Sequence, residues 1–384
     1  MVRLILEMIL GWCIINLVIL VLLLWTEKIV VMYRKKLGLP TAQDDGQARY
    51  IKLSEYRINR KRKIRTDSTY WLYYNIKGTT MENRVVDFNI DANGFIEPSG
   101  DINSSYRFMW GGDSTVEAAI VSPEKRFAHL VEEKFRNDNY DVASFNAGFS
   151  GGNIFEINIL LLSKFLPLRP THVFVCSNVH DIGTLSANEN YIDPFILNNQ
   201  VILDSDISKT LFQRIKAAIR TCVPNLYTLI YSKSVNKRRR TIKKVTVNEQ
   251  IELKHVDPDK IEKRVERIRE NYKYFITICK DNDVKPILMT QAGMFDIENE
   301  KLLNIYYKQF NGKTDLPYQE FRKIFHKVND MIRDIAKEYN VVLIDLERLI
   351  PLDEKYIYDL VHYSEEGCHL VADVIYTYKD SILS

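Results

Sequence analysis

The sequence has few cysteines, and their arrangement argues against two common kinds of site. The cysteines are scattered, odd in number and never form a Cys-x-x-Cys pair: Cys13, Cys176, Cys222, Cys279 and Cys368. Neither a disulfide framework nor a zinc site is indicated by such spacing. The chain also lacks the His-Glu-x-x-His, Gly-x-Gly-x-x-Gly and P-loop patterns. We therefore expect neither a metal nor a cofactor.

A strong net charge is also missing. The sum of 53 Lys and Arg against 50 Asp and Glu leaves a formal net charge of +3. This near balance gives no reason to expect a nucleic-acid partner. With 384 residues, 46% of them hydrophobic, the chain is long enough for one large domain or two ordinary ones.

Only one long charge-free apolar run stands out, and it lies near the N-terminus. Residues 8–26 carry no charge, and Asn16 is their one strongly polar member. A helix needs about 20 such residues to cross a bilayer. Because no small-x-small cleavage site follows, we expect a retained single-pass anchor, with the lipid bilayer as its partner, rather than a removed signal peptide. A buried core helix is the alternative.

The charges around this run bear on its orientation. Arg3 alone precedes it, whereas Lys28 and the cluster Arg34-Lys35-Lys36 follow it. The positive-inside rule therefore favours a cytoplasmic position for the large C-terminal part of the chain.

Composition suggests three regions. Residues 1–36 form the anchor and its basic flank, and residues 37–100, which are polar and basic, are predicted to be a connector that packs onto the main domain. Residues 101–384 are predicted to be that domain, with an insertion at about 184–256, where the strand–helix rhythm is interrupted.

The main domain alternates between strand and helix patterns. The predicted strands are Tyr106–Trp110, Val142–Phe145, Thr171–Ser177, Lys285–Thr290 and Val341–Asp345. Helical periodicity is strongest in Tyr318–Glu338, and a closing helix is expected from about Glu365 to Tyr378. Five strands with intervening helices predict a three-layer α/β/α domain with a mainly parallel sheet.

Polar motifs follow four of these strands. Gly112-Asp113-Ser114 comes after the first, Asn146-Ala-Gly-Phe-Ser-Gly-Gly152 after the second and Asn178-Val-His180-Asp181 after the third. Asp359 and His362 follow the fifth. Ligands of open α/β sheets bind at the carboxyl ends of the strands, so we expect these motifs to meet there.

This set of motifs resembles the SGNH (GDSL-type) hydrolase family over roughly residues 91–384. Asn93-Gly94-Phe95 and the helix-opening Pro123 are similar to its membrane-associated bacterial branch. The resemblance implies a flavodoxin-like sheet and the hydrolysis or transfer of ester-linked acyl groups.

A serine hydroxyl needs an adjacent base to act as a nucleophile. His362 stands three residues after Asp359 near the end of the chain. Ser114 as nucleophile, His362 as base and Asp359 as the acid that orients the imidazole would form a catalytic triad. The remaining histidines have no comparable setting and are interpreted as structural or surface residues: His129, His172, His255, His326 and His369.

The oxyanion hole departs from the family pattern. The resemblance implies the backbone amides of Ser114 and Gly151 as two of its donors. Where the family has Gly-x-Asn-Asp, this chain has Asn178 at the glycine and His180 at the asparagine. His180 is our first candidate for the third donor, since either ring nitrogen can carry a proton, and Asn178 is the second. A weakened or retuned site is the remaining option.

The sequence thus predicts a membrane-anchored serine esterase that acts on ester-linked acyl groups, O-acetyl above all, on a glycan or another small ester. An O-acyltransferase on a cell-envelope polysaccharide and a non-catalytic binding or assembly module are the alternatives. Anchored members of the family commonly face outward, which conflicts with the orientation that the flanking charges favour.

Overall fold

The computed structural model describes residues 2–37, 55–70, 72–188, 257–297, 299–310 and 316–384, together with residues 191, 223 and 226. Most of the predicted insertion at 184–256 lies outside the described residues. The chain divides into two compact units, one of residues 1–50 and 204–244 and one of residues 51–203 and 245–384. In the first unit the described secondary structure is chiefly the helix α1, Val2–Lys36.

Helix α1 contains a stretch, Leu10–Lys36, that is long and apolar enough to cross a membrane by length and composition. Only 11% of its most apolar window is buried. A signal sequence near an N-terminus would pass the same test.

The second unit is organised around a five-stranded, wholly parallel sheet. Its strands are β3 (Tyr106–Gly112), β4 (Val142–Asn146), β5 (His172–Cys176), β6 (Lys285–Met289) and β7 (Val342–Ile344). Their order in the sheet is β4-β3-β5-β6-β7. Relabelled along the chain this is 2-1-3-4-5, the flavodoxin-like order, so the predicted fold class is confirmed.

Direct register places the motifs side by side. Trp110 of β3 pairs with Asn146 of β4 and with Phe174 of β5. The indole of Trp110 stacks on the Phe174 ring with their centroids 4.0 Å apart. The carboxyl ends of the three strands therefore lie level with one another, and the strand order reverses direction at β3.

Helices cover both faces of the sheet. Because crossovers are right-handed and the order reverses at β3, α4 (Phe127–Asn137) lies on the face opposite to α5 (Ile154–Leu160). Helix α4 packs against α11 (Glu365–Thr377), whereas α5 packs against α7 (Pro258–Lys280), which also contacts α9 (Tyr318–Glu338). Two further helices of the unit are α8 (Glu300–Phe310) and α10 (Leu346–Leu349), and α12 (Lys379–Leu383) ends the chain.

Helix boundaries match the sequence patterns closely where apolar periodicity is strong. Helix α9 has the predicted bounds, and Asp257 caps α7 by accepting a hydrogen bond from the Asp259 N–H. The apolar pattern of residues 154–165 is that of one continuous helix, but α5 ends at Leu160 and a π-helical turn follows over Leu161–Phe165. Pro123 opens a short 3₁₀ helix, Pro123–Lys125, before α4 begins.

The described part of residues 55–100 belongs to the same compact unit as the sheet. It forms a small antiparallel pair, β1 (Lys63–Arg65) with β2 (Val85–Asp87), and a one-turn helix, α2 (Tyr73–Ile76). Ile76, Met81 and Phe95 are fully buried in the main hydrophobic core. The domain boundary at residue 100 itself stays a prediction.

Candidate active site

Ser114 lies at a sharp turn between β3 and the one-turn helix α3 (Ser114–Glu117). The side chain of Asp113 accepts a hydrogen bond from the Thr115 N–H at 2.8 Å, which supports the turn. A Cβ at Gly112 would lie 2.6 Å from the Cys176 carbonyl oxygen, so the turn requires glycine there. The hydroxyl of Ser114 is consequently held at the end of the strand and stays partly exposed.

The structure brings Ser114, His362 and Asp359 together. Nε2 of His362 lies 2.8 Å from the Ser114 hydroxyl oxygen. On the other side of the ring, Nδ1 lies 2.9 Å from Oδ1 and 2.8 Å from Oδ2 of Asp359. This is the hydrogen-bonded order that a serine nucleophile, its base and an orienting acid require.

Burial sets the electrostatics of the pair. The Asp359 side chain is fully buried, whereas 14% of the His362 side chain is exposed. Burial alone lowers the pKa of His362, but the Asp359 carboxylate outweighs it and leaves that pKa above its usual range. Burial likewise raises the pKa of Asp359, and the imidazolium with the hydrogen bonds around it brings that pKa below the ordinary value. Asp359 is therefore ionised, and it lies beside a His362 ring that can take up and release a proton.

Three further donors hold the carboxylate of Asp359. Its Oδ1 accepts hydrogen bonds from the backbone N–H groups of Val361 and His362, each at 3.0 Å. Its Oδ2 accepts one from the side-chain amide of Asn75 at 2.8 Å. Asn75 belongs to α2, in the segment that we interpreted as a connector. No motif in the sequence marked it.

Gly151 lies in the loop of residues 147–153, directly after β4. The loop is attached to β3, since the Ala147 N–H donates to the Trp110 carbonyl at 2.9 Å and the Phe149 N–H donates to the Gly112 carbonyl at 3.0 Å. The φ angle of Gly151 is +88°, a conformation that favours glycine. The loop is thus anchored beside the Ser114 turn.

The two candidates for the third oxyanion donor differ in their surroundings. The side-chain amide of Asn178 is fully buried and donates to the Phe325 carbonyl at 3.0 Å and to Oδ1 of Asn329 at 2.9 Å. Both of its hydrogens are therefore engaged in attaching the strand end to α9. His180 lies at the start of α6 (Val179–Asn188) and is partly exposed. Asn178 thus has no amide hydrogen left for an oxyanion, and the role of His180 stays a prediction.

Glu117, at the end of α3, is a buried carboxyl that the sequence analysis missed. It accepts hydrogen bonds from the hydroxyls of Tyr56 and Ser150. Burial raises its pKa, although both hydroxyls and the nearby Arg62 act in the opposite direction. Because Ser150 precedes Gly151, Glu117 connects α3 to the loop after β4.

Asp181 serves the scaffold. It accepts hydrogen bonds from the hydroxyl of Ser177, from the hydroxyl of Tyr191 at 2.7 Å and from the backbone N–H of Ile154 at 3.0 Å. Burial raises the pKa of Asp181 to about 6. This network fixes the start of α5 under the site.

The other histidines lie elsewhere. His172 is buried in β5 with Nε2 2.8 Å from the Ile382 carbonyl oxygen, and burial lowers its pKa to about 4. His326 lies between Glu347 and Asp296, and His129 lies 3.7 Å from Glu133. His369 is exposed. His255 lies outside the described residues.

Across the described ranges, no group of three or more His, Cys, Asp and Glu side chains is placed to hold a metal ion. The free cysteines there are buried: Cys176, Cys279 and Cys368.

Comparison with known proteins does not assign the chain to a family. No family model matches the chain. An uncharacterized lipoprotein, YqeF, of Bacillus subtilis (strain 168) is 35% identical over 80 residues, which are 21% of this chain and 32% of that protein. The match thus spans about a third of the length of that relative.

Solved structures resemble the chain more broadly. An acetyl xylan esterase, AlAXEase, covers 71% of the chain with 98% of its own length, at 15% identity and a TM-score of 0.39. Axe2, an acetylxylan esterase from Geobacillus stearothermophilus, covers 72% with 94% of its own length, at 12% identity and a TM-score of 0.41. A GDSL-like lipase from Bacteroides thetaiotaomicron covers 71% with 87% of its own length, at 11% identity and a TM-score of 0.38. At this similarity, the case for function rests on the geometry of the site.

Proposed function

We propose that the protein is a serine esterase of the SGNH type. The observation that carries the proposal is the hydrogen-bonded chain from Ser114 through His362 to Asp359, with distances of 2.8 Å on both sides of the imidazole. Ser114 attacks the carbonyl carbon of an ester while Nε2 of His362 takes the hydroxyl proton. The same proton then passes to the leaving alcohol. Water, deprotonated by His362, attacks the acyl-enzyme and releases the acid.

The tetrahedral intermediate needs donors for its oxyanion. Removing one such donor typically costs about 10²–10³ in rate. We propose the backbone amides of Ser114 and Gly151 for this role, with a ring N–H of His180 as the third donor. The attachment of residues 147–153 to β3 supports the placement of Gly151 next to the nucleophile.

The substrate class follows from the motif resemblance and is part of the proposal. We propose ester-linked acyl groups, O-acetyl groups in particular, carried by a glycan or another small molecule. Acyl transfer to a cell-envelope polysaccharide would use the same triad with a sugar hydroxyl in place of water. A non-catalytic module would not require the serine, base and acid to be in hydrogen-bond contact.

Hydrolysis of 4-nitrophenyl acetate by the detergent-solubilised full chain tests the proposal. We expect turnover and labelling by a fluorophosphonate probe in the wild type, and loss of both in Ser114→Ala. Acetylated oligosaccharides, supplied with and without a free glycan acceptor, then separate hydrolysis from transfer. Transfer that outruns hydrolysis would make the protein an acyltransferase. Absence of labelling alongside a labelled serine esterase would favour the binding module.

We further propose that α1 is a retained single-pass anchor. Its apolar window supports this, and the basic cluster of residues 34–36 favours a cytoplasmic site domain. The family resemblance favours the opposite side. A reporter fused after Ser384 that is active on one side of the membrane only assigns the orientation, and a mature chain that lacks residues 1–36 would contradict the anchor.

A further inference from the structure

Asn75 reaches the candidate site from a part of the chain that precedes the parallel sheet. It is 284 residues from Asp359 in sequence, and its side chain is fully buried. Its Nδ2 donates to Oδ2 of Asp359, the oxygen that also lies 2.8 Å from Nδ1 of His362. The amide therefore touches the acid at one of the two oxygens that face the base.

The orientation of the Asn75 amide follows from its surroundings. Its Oδ1 is buried and has no hydrogen-bond partner within the described ranges. A flipped amide would place that oxygen against the Asp359 carboxylate, and two acceptors in contact repel each other. The amide hydrogen is thus directed at Asp359, and the unpartnered oxygen points away from it.

The segment around Asn75 is firmly attached, so the contact has a fixed geometry. Ile76 and Met81 are fully buried in the core, and the Thr66 hydroxyl donates to the Met81 carbonyl at 2.7 Å. Arg84 follows α2 in sequence. Its guanidinium donates hydrogen bonds to the Ser122 hydroxyl and to the Glu365 carboxylate. These contacts attach the segment to the sheet domain independently of Asn75.

The negative charge of Asp359 acts on two tyrosines that precede Asn75 in sequence. Burial, together with the negative charge of Asp359, raises the pKa of Tyr74. Burial raises the pKa of Tyr70 as well, with Glu117 and Asp359 adding to the effect. Both phenols therefore stay neutral.

We propose that Asn75 is a positioning residue, which fixes the Asp359 carboxylate in the rotamer and charge state that His362 needs. The proposal rests on the triad function assigned above. Asn75 does not touch the reacting atoms; it acts through Asp359, whose charge raises the pKa of the base and selects the imidazole tautomer with a free Nε2.

Two substitutions separate this role from a purely structural one. Asn75→Ala removes a hydrogen bond to a charged group, and we expect kcat to fall about 10- to 100-fold with little change in KM. The uncompensated Asp359 carboxylate would bind the imidazolium more tightly, so the acid limb of the kcat/KM profile moves to higher pH. Asn75→Asp places two carboxyls in contact, which strongly raises the pKa of one of them. While it is protonated, the new carboxyl donates a hydrogen bond to Asp359. Once it is ionised, it repels the Asp359 carboxylate. A descending alkaline limb that the wild type lacks is the expected signature.

The test compares pH profiles for 4-nitrophenyl acetate hydrolysis by the full-length wild type, Asn75→Ala, Asn75→Asp and the control Arg84→Gln. The control removes another attachment of the same segment. It should lower the melting temperature without shifting the acid limb or introducing an alkaline one. Should Asn75→Ala not fold, the alkaline limb of Asn75→Asp gives the same answer. Wild-type profiles in both Asn75 variants, or the same changes in Arg84→Gln, would overturn the assignment. Activity that survives Ser114→Ala would instead refute the triad itself.

Discussion

Replacing Asp359 with Asn exchanges one carboxylate oxygen for an NH₂ group at a position where both oxygens have described hydrogen-bond partners. The backbone N–H groups of Val361 and His362 both point at Oδ1, so the amide oxygen of the new residue must stay there. Its NH₂ group then occupies the Oδ2 position, where it meets Nδ1 of His362 and the amide N–H of Asn75. Nδ1 also lies 2.9 Å from Oδ1, but that oxygen already accepts two backbone N–H groups, so Nδ1 accepts from the new NH₂ group and the ring proton is left on Nε2.

A proton on Nε2 prevents His362 from accepting the proton of Ser114. A triad acid replaced by its amide loses about 10⁴ in kcat for this reason, which corresponds to about 5 kcal/mol of barrier. The Asn75 amide can turn so that its Oδ1, which has no partner within the described ranges, accepts a hydrogen bond from the new NH₂ group, and we therefore expect little loss of stability. Loss of the carboxylate charge, which raises the pKa of His362 in the wild type, moves the acid limb to lower pH.

The assay measures kcat and kcat/KM for 4-nitrophenyl acetate across pH, with melting temperatures for each variant. Adding Asn75→Asp to Asp359→Asn places a carboxylate opposite the new NH₂ group, but the tautomer stays wrong. We expect this double variant to remain as inactive as Asp359→Asn. A single variant that retains more than about a tenth of wild-type kcat, where the tautomer argument requires about 10⁴, would refute the reasoning.

Three other regions give further predictions. Glu117→Gln forces one of the two hydroxyls that donate to Glu117 to turn and accept instead, which weakens the link between α3 and the loop after β4, so we expect kcat/KM to fall about 10-fold, measured beside the conservative control Ser150→Thr. Gly148→Ala puts a Cβ 2.7 Å from the Val116 carbonyl carbon, and the displaced loop should lower kcat about 10²-fold in the same assay. Neutral His172, with its pKa lowered from 6.5 to about 4, contributes stability that is complete above pH 6.5 and is lost as pH falls toward 4. Denaturant melts of His172→Phe should therefore show a pH dependence flatter by up to about 3 kcal/mol over that range, and an unchanged slope would contradict this.

The fold was predictable because its signals are local. A buried parallel strand is apolar nearly throughout, as in His172–Cys176, and an amphipathic helix repeats its apolar positions, as in Tyr318–Glu338. The end of the helix at Leu160 and the π-helical turn after it carry no such signal, since the apolar pattern runs on through Phe165. Strand order was accessible only through the resemblance.

The residues of the candidate site also fall into two groups, those that a local motif marks and those that long-range contacts bring in. Ser114, Asp359 and His362 stand in short motifs at strand ends, where chain order alone suggests that they meet. No motif marks Asn75 or Glu117, because their partners are distant in sequence. Asn75 contacts Asp359, 284 residues away, and Glu117 contacts Tyr56, 61 residues away. The sequence allows Asn178 to be either an oxyanion donor or a structural residue, and only its contacts with Phe325 and Asn329 of α9 distinguish the two.

The central claim is that Ser114 carries the acyl group during turnover. Rapid acid quenching of the full chain with 4-nitrophenyl acetate, followed by peptide mass spectrometry, tests it most directly. The account predicts the mass increment of one acetyl group on the peptide that contains Ser114. An acetyl group on a different residue, or turnover with no acylated peptide, would contradict it.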